Sequence, residues 1–110
     1  MQTKRRKSYF VYILSSINKV IYVGFTDGLV KRISQHKKGF YVNAFTKKYH
    51  VTRLIYWEKY DTKEVALARE KELKGWRREK KIDLIEKQNP QWHDVYPEVI
   101  ELYKAFSSRL

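Results

Sequence analysis

The sequence predicts an α+β fold, in which a small three-stranded antiparallel sheet is flanked by helices. Segments rich in β-branched and aromatic residues, as is typical of strands, occur at 9–14, 20–25 and 51–60. Apolar residues at helical spacing occur between and after these segments. With 110 residues, the chain is long enough for one domain with a modest core and too short for two.

The first two strands are predicted to form a hairpin, because Ser15 to Lys19 supply polar turn residues between them. If this connection pairs Leu14 with Val20, the register places Tyr12 opposite Tyr22 on one face of the sheet. Aromatic pairs across two strands are also common where they only stabilise the sheet. The hairpin alone therefore leaves the role of the two phenols open.

A helix is predicted after the hairpin, with Thr26 or Asp27 as its cap and Gly39 at its end. Arg32 and His36 are one turn apart on this helix, so their side chains can address a common target. A guanidinium suits a phosphate, and an imidazole can donate, accept or transfer a proton near neutral pH. Each residue also has an ordinary explanation, as a solvated helix charge for Arg32 and as a packed side chain for His36.

Three further elements complete the predicted fold. Tyr41, Phe45 and Tyr49 recur at helical spacing and predict a short helix within residues 40–50. The third strand is expected over residues 51–60. A terminal helix is expected over residues 97–106, with an apolar side available for docking.

A long helix is predicted from Asp61 to about Glu86 or Lys87, because Asp61 and Glu64 have the spacing of a capping box and Asn89-Pro90 blocks continuation. On this helix Glu70 shares an apolar stripe with buried-type residues and faces the core side. A carboxylate in that position requires a partner. The partner is either a basic side chain in an ion pair, for instance Arg69, Arg77 or Arg32, or a magnesium ion, which accepts one or two protein carboxylates.

Composition favours a polyanionic partner. The formal charge of +12 comes from 24 Lys plus Arg against 12 Asp plus Glu, and such a field attracts phosphate backbones. Nucleic acid is therefore the predicted partner. Ribosomal and membrane-surface proteins are equally basic, so charge alone leaves the function open. The content of 43% hydrophobic residues supports folding.

Several classes are excluded by composition. The absence of cysteine removes disulfides, thiol catalysis and cysteine-based zinc motifs. The three histidines show no metal-ligand spacing. No apolar run approaches the about 18 residues that cross a membrane, and the N-terminus lacks a signal-peptide core. A cytoplasmic protein without a membrane partner is expected, and the oligomeric state stays open.

An ordered series of residues resembles the GIY-YIG nuclease domain. The series runs through Val11-Tyr12-Ile13, Tyr22-Val23-Gly24, Thr26, Leu29, Arg32, His36 and Glu70. The segments Ala68 to Arg78 and Asn89 to Trp92 resemble in particular the small stand-alone bacterial proteins related to the nuclease module of the excision-repair incision subunit. Val11 replaces the glycine and Val23 the isoleucine of the two name-giving motifs. Both keep an apolar strand residue, and both tyrosines remain.

The resemblance implies a metal-dependent endonuclease that hydrolyses phosphodiester bonds in DNA in a structure- or context-dependent way. One divalent cation, Mg²⁺ or Mn²⁺, would be held by Glu70. Arg32 would stabilise charge at phosphorus, and Tyr12 or Tyr22, helped by His36, would accept a proton from water. In that family the products carry a 5′ phosphate and a 3′ hydroxyl.

Other basic residues are predicted to hold the substrate without reading its sequence. They either follow the proposed site in the chain or lie on the long helix, and they are Lys37, Lys47, Lys48, Lys74, Arg77, Arg78 and Lys81. On one continuous helix Lys74, Arg77 and Lys81 would share a side, although such a charge run is equally a solvated face. Gly24, Thr26 and Asn89 are predicted to support the site.

The predicted organisation is a basic flexible arm over residues 1–8, a nuclease-like domain over residues 9–95 and a C-terminal helix over residues 96–110 packed on that domain. Two other functional classes remain. One is a noncatalytic nucleic-acid-binding module with the same fold, and the other is a basic RNA- or ribosome-associated interaction protein. The presence of all five candidate catalytic residues favours the nuclease.

Overall fold

The computed structural model describes residues 7–40 and 43–107. These residues form the strands β1 (Tyr9–Ser15), β2 (Ile21–Thr26) and β3 (Arg53–Tyr60), and the helices α1 (Leu29–Lys37), α2 (Ala44–Lys48), α3 (Lys63–Gly75), α4 (Arg78–Gln88) and α5 (Tyr96–Ser107). The predicted α+β fold with a three-stranded antiparallel sheet is confirmed. Residues 1–6 of the predicted arm, Tyr41 and residues 108–110 lie outside the described residues.

The sheet has the order β2-β1-β3, and β1 is antiparallel to both neighbours. Tyr12 pairs with Gly24, and Leu14 pairs with Tyr22. The predicted pairing of Tyr12 with Tyr22 is therefore wrong by two residues. Since side chains alternate with a period of two, the shift keeps both tyrosines on one face.

The turn between β1 and β2 explains the shift. Ser15 still pairs with Ile21, so the connection comprises residues 16–20. The Ser16 amide donates to the Val20 carbonyl at 2.9 Å, and the Val20 amide donates to the Ser16 hydroxyl at 3.0 Å. Lys19 adopts a positive φ of 64° to close the turn. The five-residue connection therefore lies one residue later in the chain than predicted, which shifts the register by two.

Apolar side chains pack on both faces of the sheet. Val11 and Ile13 of β1 join a buried cluster with residues of α3 and α4, whereas Leu14 joins a cluster with residues of α1 and α5. The alternation of β1 therefore serves two core layers. Because both faces are covered, residues 11–15 of the central strand are buried.

The predicted long helix is wrong, because the chain divides it into α3 and α4. Trp76 and Arg77 have extended backbones, with ψ of 152° and 155°. Gly75 weakens the helix at this point, and the half-buried Trp76 ring packs against the core between Arg69 and Lys80, with centroid distances of 5.1 and 4.1 Å. Tertiary packing of Trp76 thus overrides helical continuation. Lys74, Arg77 and Lys81 consequently do not share one side of a single helix.

The helix starts also differ from the predictions. The α3 helix is capped by Thr62, whose hydroxyl accepts from the Val65 amide at 3.3 Å, and not by Asp61. The cap residue of α1 is Gly28, and the Thr26 hydroxyl accepts from the Gly28 amide at 3.0 Å in the preceding turn. The predicted short helix and terminal helix are present as α2 and α5. In the described part of the chain no helix is long and apolar enough to cross a membrane.

Candidate active site

Tyr12 lies at the centre of the candidate site, and its ring covers Gly24 of the neighbouring strand. A Cβ atom added to Gly24 would be 2.4 Å from Cζ and 2.5 Å from the hydroxyl oxygen of Tyr12. The Tyr12 side chain is fully buried, so it has no free space into which it could withdraw. The close approach therefore requires glycine opposite this tyrosine.

Tyr22 lies diagonally across from Tyr12 on the same face, with 6.4 Å between the ring centroids. Its other ring neighbours come from helices: His36 of α1 and Phe45 of α2, each at 6.5 Å. Tyr22 is half-buried, whereas Tyr12 is enclosed. Of the two phenols, Tyr22 is thus the one that solvent or a substrate can reach.

The Tyr12 hydroxyl is under the electrostatic influence of three other candidate residues. Burial raises the pKa of Tyr12 to about 12, and the neighbouring Tyr22 raises it as well. The Arg32 guanidinium, which interacts with the hydroxyl, lowers this pKa, and the Glu70 carboxylate raises it. Residues of β2, α1 and α3 therefore lie near enough to act electrostatically on the buried Tyr12 hydroxyl, which has no hydrogen-bond partner among the described residues.

His36 is fully buried beside Tyr22. Burial and, to a smaller extent, the positive charge of Arg32 together lower its pKa to about 4. The imidazole is consequently neutral at physiological pH. Its contribution here is that of a neutral ring that packs against a phenol.

Glu70 forms an ion pair with Lys74, one turn further along α3, at 3.1 Å. The Glu70 side chain is 19% exposed and the Lys74 side chain 50%. The Lys74 ammonium also lies 5.8 Å from the Tyr22 ring centroid. The sequence analysis left the partner of Glu70 open between an ion pair and a magnesium ion; the structure shows an ion pair, formed with Lys74 and not with one of the arginines given as examples.

An anchor that the sequence analysis missed fixes α3 on the sheet. Arg69 donates two hydrogen bonds to the Glu58 carboxylate of β3, at 2.9 and 3.0 Å. The Tyr60 hydroxyl donates to the same carboxylate at 2.7 Å, and the Tyr56 hydroxyl also donates to it. Burial opposes ionisation of Glu58, but the hydrogen bonds hold its pKa below the ordinary value. Because Arg69 precedes Glu70, this pair fixes the helix segment that presents the Glu70 carboxylate.

The donor set suits a hard cation only in combination with water and substrate. Among the described residues no group of three or more His, Cys, Asp or Glu side chains could hold a metal ion. Mg²⁺ is nevertheless commonly bound through one or two carboxylates plus waters and phosphate oxygens. Glu70 is accessible and already pairs with a cation, so it fits that mode of binding.

Comparison with known proteins places the chain in a family. The sequence profile described as the GIY-YIG catalytic domain matches residues 8–83, a segment that includes all five candidate catalytic residues. The chain belongs to the GIY-YIG catalytic domain family. The resemblance to this family is thereby confirmed, and a relation to the excision-repair incision subunit stays a prediction.

Relatives of this GIY-YIG chain are small proteins of similar length. A UPF0213 protein of Syntrophus aciditrophicus is 37% identical over 82 residues, which is 74% of this chain and 93% of that protein. A UPF0213 protein of Staphylococcus aureus is 37% identical over 78 residues, which is 71% and 94% of the two chains. The solution NMR structure of the UPF0213 protein BH0048 from Bacillus halodurans is similar to this chain, with a TM-score of 0.52 and 27% sequence identity. The match covers 93% of that protein and 80% of this chain.

The predicted supporting residues have structural partners in this GIY-YIG domain. Gly24 accommodates Tyr12, and Thr26 holds the turn before α1. The Asn89 amide nitrogen donates to the carbonyls of Ile55 and His93, at 3.0 and 2.8 Å. Asn89 thus ties the segment after α4 to β3. Its contacts explain packing, and its role in catalysis stays a prediction.

The predicted substrate-binding cations are distributed over four helices, and only Lys74 belongs to the cluster just described. Lys37 pairs with Asp94 and lies 5.3 Å from the Tyr96 ring centroid, so it helps to hold α5 on α1. Arg78 donates to the Lys19 carbonyl at 2.7 Å. The remaining members lie on the α2 end and on α4 or at its start: Lys47, Lys48, Arg77 and Lys81. Substrate contact by these residues stays a prediction.

Two cavities flank this GIY-YIG fold. The larger one, of about 660 Å³, lies between the start of α1, the sheet residues Phe10 and Trp57, and α5, and its lining is mainly apolar. None of the five candidate catalytic residues lines it. The smaller one, of about 240 Å³, is lined in part by Arg32. The size of a cavity therefore does not identify the candidate active site, whereas the cluster of polar side chains around Tyr12 does.

Proposed function

We propose that this protein is a divalent-metal-dependent nuclease that hydrolyses phosphodiester bonds, with DNA as its substrate. The observation that carries the proposal is that Tyr22 lies beside Tyr12, with 6.4 Å between ring centroids, and that Arg32 and Glu70 lie near enough to act electrostatically on the buried Tyr12 hydroxyl. Membership of the GIY-YIG family supports it, because the matched segment contains all of these residues. The formal charge of +12 supports a polyanionic substrate.

Glu70 is the residue that would hold Mg²⁺ or Mn²⁺. When bound, the cation supplies Lewis-acid stabilisation of the phosphate charge and of the departing 3′ oxygen. Metal binding requires that Lys74 releases Glu70, because the single Glu70 carboxylate would otherwise share its negative charge between the ammonium group and the metal ion. The freed Lys74 ammonium, half-exposed beside Tyr22, is then available to a phosphate oxygen.

Arg32 provides fixed positive charge. Its planar fork can bind two nonbridging phosphate oxygens, a geometry that an ammonium group cannot reproduce. The guanidinium lies near enough to the buried Tyr12 hydroxyl to lower its pKa, so the positive charge is beside the phenols before substrate arrives. Preorganised charge of this kind often contributes the largest single factor in catalysis.

Tyr22 is the better candidate for the proton acceptor. A general base must come within hydrogen-bonding reach of the attacking water, and Tyr22 is half-buried whereas Tyr12 is enclosed and has a pKa of about 12. The Lys74 ammonium lies 5.8 Å from the Tyr22 ring centroid, which places a cation beside this phenol. Neutral His36 packs on the other side of Tyr22 and orients it.

A cleavage assay on labelled nucleic acids tests the proposal. Linear, nicked, flapped and branched DNAs, together with RNA, are incubated with the protein in Mg²⁺, Mn²⁺ or chelator, and binding is measured in parallel. Glu70→Gln keeps the size of the side chain and removes the charge, and Tyr22→Phe removes only a hydroxyl. We expect metal-dependent cleavage by the parent, about 10² or greater loss in each variant, and binding by all three.

Glu72→Gln is the matched control, because Glu72 lies on the same helix, is 54% exposed and pairs with Arg69 at the surface. It should cut like the parent. Binding without cleavage by the parent under every condition would replace the nuclease with a noncatalytic nucleic-acid-binding module. Equal cleavage by parent and Glu70→Gln would remove Glu70 as the metal ligand.

A further inference from the structure

A cleft of about 240 Å³ opens next to the catalytic cluster, where β2 ends and where α1 and α3 begin. It is lined by Lys7, Tyr9, Phe25, Thr26, Asp27, Arg32 and Lys63. Arg32 belongs both to this cleft and to the cluster around Tyr12. The cleft is thus adjacent to the position proposed for the scissile phosphate.

Three cations from distant parts of the sequence meet in this cleft. Lys7 precedes β1, Arg32 lies on α1, and Lys63 is the first residue of α3. Asp27 is the only carboxylate among the residues that line the cleft. The local charge is therefore positive, which excludes a second metal site and favours an anion.

Of these three cations, only Lys7 has a carboxylate partner among the described residues, so Arg32 and Lys63 are left without one. The Lys7 ammonium lies 3.2 Å from the Asp27 carboxylate, and both side chains are more than half exposed. In the part of the chain that the structure describes, Lys63 forms no ion pair. An exposed Lys7–Asp27 pair is weak and can be broken by a competing anion.

The shape of the cleft also fits a piece of nucleic-acid backbone. Tyr9 and Phe25 stack on each other with 6.2 Å between centroids and 9° between planes, and they supply a flat apolar wall. A water molecule occupies about 30 Å³ in the liquid. The cleft volume of about 240 Å³ is several times larger, so a phosphate group can enter. A sugar can then lie against the aromatic wall.

We propose that this cleft binds the backbone phosphate next to the scissile phosphate. The inference rests on the proposed function, because it takes the Tyr12 cluster as the place of cleavage. Arg32 contacts both phosphates, and Lys63 and Lys7 contact only the neighbouring one. Asp27 opposes binding, because it repels the phosphate and holds Lys7 in the free protein.

The test measures affinity without turnover. Binding of a fluorescein-labelled DNA duplex by Glu70→Gln is followed by anisotropy across a series of salt concentrations. Lys63→Ala and Asp27→Asn are added separately to this background. The matched controls remove the same charges from exposed positions on α4, as Lys87→Ala and Asp83→Asn.

Opposite signs are expected for the two changes in the cleft. Lys63→Ala should weaken binding several-fold and reduce the salt slope by about 1, as expected for one lost phosphate contact. Asp27→Asn should tighten binding, because it removes the repulsion and releases Lys7. Each change in affinity should be larger than the change caused by the matched α4 control. If Lys63→Ala matches Lys87→Ala, or if Asp27→Asn binds no tighter than Asp83→Asn, the proposal is wrong.

The position of the subsite is tested on a substrate that the parent cuts. Neutral methylphosphonate links replace single phosphates in turn, and the penalty for Lys63→Ala should disappear only when the neutral link is next to the cut. A penalty that persists with every link, or disappears at a distant one, contradicts the assignment. Binding shifts without any cleavage by the parent would keep the phosphate cleft and reject the nuclease. Cleavage by the parent without these changes in binding would keep the nuclease and reject the phosphate cleft.

Discussion

Gly24→Ala is the substitution that most specifically disturbs the candidate site. The new methyl carbon would lie 2.4 Å from Cζ and 2.5 Å from the hydroxyl oxygen of Tyr12, against a normal contact of about 3.5–4.0 Å. The Tyr12 ring must therefore move by more than 1 Å or tilt, within a core that leaves it fully buried. Overpacking of this kind costs about 1–3 kcal/mol in free energy of unfolding. A displacement of about 1 Å at a catalytic group can lower turnover about 10²-fold.

Urea unfolding and single-turnover cleavage measure the two effects separately. Gly75→Ala is the control, because a methyl group there meets no atom within 4 Å. A double variant with Tyr12→Leu, which removes the ring, should recover much of the stability but none of the activity. The reasoning is refuted if Gly24→Ala unfolds at the same urea concentration as the parent and cuts at the same rate, since the ring would then not cover Gly24.

Three further outcomes are expected. The pKa of His36 is about 4 in the fold and about 6.5 when unfolded, so the unfolded chain binds the extra proton between these values. The free energy of unfolding should thus fall by up to about 3 kcal/mol as pH decreases from 6.5 to 4, and His36→Gln should lose this component in urea titrations at several pH values. Lys74→Met should tighten Mn²⁺ binding, measured by electron paramagnetic resonance, because Glu70 loses its competing cation; unchanged affinity would contradict the competition. Arg69→Met should cost about 3 kcal/mol in urea unfolding, because Glu58 is left partly buried without its cation, and a cost below 0.5 kcal/mol would reject the anchor.

The site was largely predictable because its residues follow local periodicities. Arg32 and His36 are one helical turn apart, which sequence spacing alone defines. Tyr12 and Tyr22 share a face even though the predicted register was wrong, because an error of two residues preserves the alternation of a strand. The ordered series of such residues is specific enough to identify the family from the sequence alone.

Other features depend on contacts between distant segments and could not be predicted in this way. The helix break at Trp76 is caused by its packing between Arg69 and Lys80, although Gly75 was a local signal for it. The Glu58 anchor joins β3 to α3 through side-chain hydrogen bonds that no spacing rule describes.

The same holds for the phosphate cleft. Its cations Lys7, Arg32 and Lys63 are brought together only by the fold, which places the end of β2 beside the starts of α1 and α3. The Glu70–Lys74 pair, in contrast, has the ordinary spacing of four residues on a helix. The sequence analysis named an ion pair for Glu70 but gave only arginines as examples of the partner.

The most direct test of the account is the single-turnover rate of DNA cleavage in Mg²⁺ by the parent, Glu70→Gln and Glu72→Gln, purified in the same way. The two carboxylates are two residues apart on α3, but only Glu70 acts on the buried hydroxyl of Tyr12. The account predicts that Glu70→Gln lowers the rate by about 10² or more while Glu72→Gln leaves it within about threefold of the parent. Equal rates for the two variants, or no cleavage by the parent on any substrate, would contradict a metal-dependent active site at Glu70.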